Sequence, residues 1–194
     1  MIRRALLLVL LLLPTAACSS TASPRLEKLY ELSLEDPGDA ADRRALASLG
    51  RRRLEWAGEV REMHAEGKLK TDRDLLIAAT LLLDSPELDD LDLARDLALE
   101  AAERGDDRGF PLAAEAIDHG LMLRGEPQRY GTQYVDVPGY GWTLYRWDPL
   151  TTDVEREAMG VPPIAVALER LKLLNGVEDV PGTGLDASAA PSEN

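Results

Sequence analysis

The chain has 194 residues, with 35 acidic side chains against 22 basic ones and a net charge of −13. That balance argues against nucleic-acid binding, which rests on Lys and Arg neutralising phosphates, and against a polybasic hold on anionic lipid. A single Cys excludes an intrachain disulfide framework and a multi-Cys zinc site, and two His argue against a His-rich metal centre. No metal or cofactor is expected.

The N-terminus reads Met1-Ile2-Arg3-Arg4, an apolar run from Ala5 to Leu13, then Pro14-Thr15-Ala16-Ala17-Cys18. A short basic region, an apolar core and small residues before a cut site form the secretory signal pattern. The run falls short of the roughly 20 apolar residues that a membrane span needs. Small residues directly before Cys18 resemble a bacterial lipobox, with Thr15 in place of the usual Leu-like residue. The resemblance implies removal of residues 1–17, acylation of Cys18 and a hold on membrane lipid, stable because several acyl chains act together. An ordinary signal peptide with an incidental Cys is the other reading.

Ser19-Ser20-Thr21-Ala22-Ser23-Pro24 then reads as a flexible tether, residues 18–37 being assigned to the lipidated Cys and its tether. Loss of Arg3 and Arg4 with the leader moves the net charge from −13 to −15, so the domain should stand off from an anionic surface. No Asp follows Cys18, which by analogy fits sorting to the periplasmic face of a bacterial outer membrane.

Residues 38–176 read as one domain, and the Gly, Pro, Ala and Ser-rich end from Val177 to Asn194 as disordered. From about Asp39 to Glu66, Leu46, Leu49, Trp56, Val60 and Met63 recur at helical steps, with Arg53 filling one slot and Gly67 closing the helix. Thr71 and Asp74 resemble a capping arrangement for the next helix, apolar nearly all round (Leu75, Leu76, Ile77, Leu81, Leu82, Leu83) and therefore expected at the centre. Ser85-Pro86 stops it, and the charged run Glu87 to Asp92 reads as a solvated connector. Two Ala-rich helices follow, from about Asp92 to Arg104 and from Gly109 to Arg124, closed by Gly105 and Gly125. Their small faces suit close approach, as in tetratricopeptide-type hairpins, but no self-similar period accompanies them.

After Gly125 the character changes. Six of the nine aromatics fall between Tyr130 and Trp147. Gln133 to Val137 and Trp142 to Trp147 read as strands joined through Pro138-Gly139-Tyr140-Gly141, placing a β-hairpin at about 133–147. Such a hairpin is marginal alone and must pack on the helices. A short helix near Thr152 to Met159 and a last one from Pro162-Pro163 through Leu174 complete the chain. The expected fold is mainly α, with antiparallel helical hairpins followed by a β-hairpin and C-terminal helices.

Asp74 with Ala78-Ala79, Ala94 to Ala102 with Gly105, Ala113 to Asp118, Gln128-Arg129-Tyr130-Gly131-Thr132-Gln133 and Asp153-Val154-Glu155-Arg156 before Gly160 together resemble a bacterial domain family of unknown function (type 6624). Its pattern is a helical stretch with an Asp-Arg pair, then Gln-x-Tyr/Phe-Gly-Thr-Gln, then Asp-x-x-Arg before a Gly. The resemblance covers roughly residues 75–174 and implies a fold but no reaction. His119 stands where Arg is commoner, and Leu83-Asp84 replaces a Gln-His pair.

Asp118 lies beside an expected inner stripe of Phe110, Ala114, Ile117 and Leu121. A carboxylate there needs hydrogen bonds or a cation, because unpaired burial costs several kcal/mol. The expected partners are backbone N–H groups of Gly131-Thr132-Gln133, or Arg156. Asp118 then reads as a buttress between hairpin and helices, or as a catalytic base. His119 reads as a polar surface residue or a general acid/base, although helical neighbours point about 100° apart.

Gln128, Tyr130, Thr132 and Gln133 suit either loop architecture or a polar binding site, and Tyr140 and Trp142 form a candidate aromatic platform. No phosphate loop, nucleophile elbow or metal-spaced cluster is present. The expected function is a lipid-anchored envelope module that binds a protein or cell-wall glycan through the hairpin and the 128–133 loop. The alternative is an envelope hydrolase using Asp118 with Gln128, Gln133 and Arg156.

Overall fold

A computed structural model describes residues 22–34 and 43–176. The expected leader, Cys18, the expected helix start at Asp39, the side chain of Leu46 and the expected disordered end from Val177 lie outside them. The elements in chain order are α1 (Pro24–Ser33), α2 (Arg43–Ala65), α3 (Asp72–Leu82), α4 (Leu88–Glu103), α5 (Gly109–Leu123), β1 (Tyr134–Val137), β2 (Gly141–Leu144), α6 (Asp153–Ala158) and α7 (Ile164–Asn175). The protein is mainly helical, with one two-stranded antiparallel hairpin followed by C-terminal helices.

α3 is the central helix. Leu75, Leu76, Ile77, Ala78, Ala79, Leu81 and Leu82 are buried, and α1, α2, α4 and α5 all pack on it. Thr71 and Asp74 form the predicted capping box: Thr71 Oγ1 accepts from the Asp74 N–H at 2.9 Å, and the Asp74 carboxylate accepts from the Thr71 N–H at 2.9 Å. α2 buries Leu49, Trp56, Val60 and Met63 against it, while Arg53 turns outward to Asp84, 3.2 Å away.

α4 begins at Leu88, four residues earlier than the pattern predicts, so the acidic run is a helix start and not a connector. Carboxylates in a first turn meet the positive end of the helix dipole, and here one of them also has specific partners. Asp90 is buried, accepts from Ser85 Oγ at 2.6 Å and pairs with Arg61 Nη1 at 2.5 Å.

The inner face of α5 is also different from the expected stripe. Ala113, Ala114, Ala116 and Gly120 are buried together with Asp118, whereas Phe110, Ile117 and Leu121 are only half-buried. The cause is how close α5 lies to α4. A Cβ placed on Gly109 would sit 2.1 Å from the Ala98 carbonyl oxygen and 2.8 Å from the Ala102 nitrogen. At that separation only Ala and Gly fit between the backbones, and the larger side chains turn to the flanks.

α1 takes residues 24–33 out of the stretch expected as tether, 18–37. Leu26 and Leu29, spaced for one helical face, are fully buried, and Pro24 starts the helix without losing a hydrogen bond. The Ser23 N–H donates to Asp74 Oδ1 at 2.6 Å, Arg25 pairs with Glu59 at 2.5 Å and Arg73 pairs with Glu27.

Burial pulls the Asp74 carboxyl upward, but the N–H groups of Ser23, Thr71 and Lys70 and the Thr71 hydroxyl outweigh it and hold the group below its ordinary value. A depressed carboxyl stabilises the folded state above its unfolded pKa, and that contribution is lost as pH falls through the folded value. The window therefore opens below about pH 4. Amide-exchange protection of Leu26 and Leu29 is expected to fall in that range before protection of Ala113 in α5. Simultaneous loss at both places would show that Asp74 does not govern α1 docking.

Candidate binding surface

The hairpin register pairs Tyr134 with Leu144, Val135 with Thr143, Asp136 with Trp142 and Val137 with Gly141. Its turn is closed by the Tyr140 N–H donating to the Val137 carbonyl at 2.9 Å, with Pro138 and Gly139 at the central positions. Pro presets the first of these and Gly139, at φ +84°, supplies the left-handed second. The strands are shorter than the pattern predicts. Trp147 lies past β2 and instead forms an isolated parallel bridge with Gln128.

Gln128 does not face a ligand. It is fully buried, and its amide is spliced into the base of the hairpin. Oε1 accepts from the Gln133 N–H at 2.8 Å, and Nε2 donates to the carbonyls of Tyr145 at 2.7 Å and Gln133 at 3.1 Å. Both ends of the amide are spent on backbone, as a buried Gln requires. Tyr130 is likewise buried, with the Arg129 guanidinium 5.6 Å from its ring centre, so neither residue can serve as a contact for a partner.

Asp118 is the other support. It has no exposed surface. Oδ1 accepts from the N–H groups of Arg129 at 2.7 Å and Tyr130 at 3.0 Å, and Oδ2 accepts from the Thr132 N–H at 3.0 Å and the Thr132 hydroxyl at 2.9 Å. The loop partners are thus 129, 130 and 132, in place of the expected 131–133. The Thr132 hydroxyl in turn accepts from Gln133 Nε2 at 3.2 Å. Gly131 permits the fold-back, with φ +83° and Ile164 Cδ1 2.7 Å from where a Cβ would stand.

Arg156 does not pair with Asp118. It is buried, donates to the Thr151 carbonyl at 2.7 Å and to Asp153 at 3.1 Å, and reaches the Arg129 carbonyl at 3.3 Å. Asp153 also accepts from the Ile164 N–H at 3.0 Å, so this pair joins α6, the start of α7 and the 128–133 loop. His119 points away from Asp118. Its Nδ1 lies 2.8 Å from the Leu83 carbonyl, which fixes that nitrogen as the N–H donor and ties mid-α5 to the end of α3.

What remains open is the hairpin itself. Tyr140 at the turn is 85% exposed and Trp142 on β2 is 40% exposed. A contact that sequence reading missed holds β2 in place. Asn175 Oδ1 accepts from the Trp142 N–H at 2.8 Å, and its Nδ2 donates to the Trp142 carbonyl at 2.8 Å and the Leu171 carbonyl at 3.1 Å. Nothing near Asn175 in the sequence signals a partner more than thirty residues away. Tyr134 anchors the other strand, donating to the Ala167 carbonyl at 3.3 Å. Burial pushes its phenol up, opposed by Arg170, whose guanidinium lies 5.6 Å from the ring centre.

The arrangement is thus a hairpin with two exposed aromatics on a support in which Asp118 and Gln128 spend their polar atoms on internal hydrogen bonds. No protein-family model, no curated protein and no solved structure matches the chain.

Proposed function

We propose that the chain is an exported envelope protein, anchored to a bacterial membrane by lipid on Cys18, that works as a binding module. The partner contact lies on the hairpin, through Tyr140 and Trp142. The observation that carries this reading is an exposed Tyr–Trp pair on a braced hairpin, since large aromatics left in water are favoured contact residues. Partners of the fitting class are an envelope protein or a cell-wall glycan, whose sugar faces stack on such rings. The 128–133 loop serves as the bracket for the surface and not as part of it.

The hydrolase alternative loses its motivation. Asp118, Gln128 and Arg156 are buried and hydrogen-bonded to neighbouring groups, which leaves neither Asp118 oxygen open to a substrate.

Anchoring is tested by growth with a fatty-acid probe, where wild-type protein should take up label and Cys18→Ala should not. Equal labelling of both would remove the anchor. Binding is tested with wall fragments and envelope extract. A folded Tyr140→Ala/Trp142→Ala variant should lose retention, and undiminished retention would take the aromatic pair out of the contact.

A further inference from the structure

The Tyr145 N–H donates to the Gln133 carbonyl across the base of the hairpin at 3.0 Å. In an antiparallel ladder, bonded and non-bonded pairs alternate, so pairs 135/143 and 137/141 are bonded and the backbone groups of 134, 136, 142 and 144 point outward. The two outer edges are treated differently at the 136/142 pair. On β2 the Asn175 side chain occupies both the N–H and the C=O of Trp142, as a neighbouring strand would. On β1, among the described residues, the outward N–H and C=O groups of Tyr134 and Asp136 have no partner, and Asp136 is exposed.

A strand edge with unpaired groups is a template for a further strand, and three strands are more stable than an isolated pair. We propose that β1 takes up an extended peptide segment of a partner as a third strand, with a Lys or Arg of that segment opposite Asp136. Charge selects the occupant. The side chain at the middle of the free edge is a carboxylate, and the whole chain carries −13, so a basic segment is attracted where a second copy of this protein is repelled. The register places the basic side chain in one row with Asp136 and Trp142, on the face that carries the exposed aromatic. Backbone hydrogen bonds provide the hold and the row of side chains the selectivity, which is how strand-addition modules work. The inference rests on the hairpin being the contact surface, and is independent of lipid on Cys18.

The probe is a synthetic Thr/Val-alternating peptide of about eight residues with one central Lys, titrated into the protein while amide exchange is followed. Tyr134 and Asp136 amides should gain protection, and those of Val135 and Val137, already in the ladder, should change little. Asp136→Lys should weaken the Lys peptide about tenfold and strengthen a Glu-centred version. Asp136→Pro removes the outward N–H without touching the β1–β2 ladder, and should abolish the added protection at Tyr134, whereas Asp136→Ala should retain it.

Absence of protection at saturating peptide, or indifference to Asp136→Pro, would overturn strand addition. Protection that appears without peptide and grows with protein concentration would overturn it in favour of a second copy. If Asp136→Pro abolishes peptide uptake but Tyr140→Ala/Trp142→Ala leaves it intact, strand addition stands and the aromatic contact falls. The reverse pattern overturns strand addition alone.

Discussion

Asp118→Ala is expected to destabilise the protein by about 3–5 kcal/mol, because each buried donor left without an acceptor costs roughly 1–3 kcal/mol. The N–H groups of Arg129, Tyr130 and Thr132 and the Thr132 hydroxyl all end on this one carboxylate. The hydroxyl can rotate to another acceptor, but the three amides are fixed by the loop. A thermal midpoint lowered by roughly 10 °C follows from the usual scaling for a chain of this size. The loss should show first at the hairpin, as a change in Trp142 and Trp147 emission and in the amides of residues 128–133, with most helical signal retained.

Asp118→Asn keeps the shape yet turns an N–H₂ group toward N–H donors, so it should lie between alanine and wild type. A variant with unchanged stability would contradict the bracket assigned to Asp118 and reopen a chemical role.

Gly109→Ala should be the most damaging conservative change in the helical layers. Alanine improves helix propensity by up to ~1 kcal/mol, which favours the variant on local grounds. Against it stands a Cβ 2.1 Å from the Ala98 carbonyl oxygen and 2.8 Å from the Ala102 nitrogen, both backbone atoms that cannot swing aside. Forcing α4 and α5 apart costs about 3 kcal/mol by comparison with other overpacked cores, so the clash wins. Gly120→Ala provides the control. Its Cβ would meet only the flexible end of Arg124, at 3.3 Å, and the variant should be neutral or slightly more stable in urea. If the two substitutions unfold at the same denaturant concentration, the close approach of α4 and α5 is wrong.

Much of the fold was legible because local rules and tertiary demands agree. Thr71 and Asp74 announce a helix start, apolar residues all round α3 announce its central place, and Pro138-Gly139 announce a hairpin turn. Misreadings arose where a side chain serves a distant partner. Asp90 looked like one more surface acid, and only Ser85 and Arg61 make it a buried one. Leu26 and Leu29 are too few to distinguish a helix from a linker until α1 is seen packed on α3.

The site was half legible. That Asp118 needs donors from the loop after α5 follows from its place beside an apolar face, but which amides reach it depends on how Gly131 turns the chain. Arg156 has the buried Asp118 carboxylate within the same region yet bonds to Asp153 and to the carbonyls of Thr151 and Arg129, and no spacing rule distinguishes those outcomes. The Asn175 contact across thirty-three residues left no trace in local pattern at all.

The seating of α1 has a mechanical consequence. Tension applied to the chain at Ala22 does not unravel the helices one after another from a loose end. It is delivered through the Ser23–Asp74 bond into the first turn of α3, and the Leu26 and Leu29 side chains must shear along that helix before anything peels. Load entering the chain at Ala22 is therefore met first at the central helix α3.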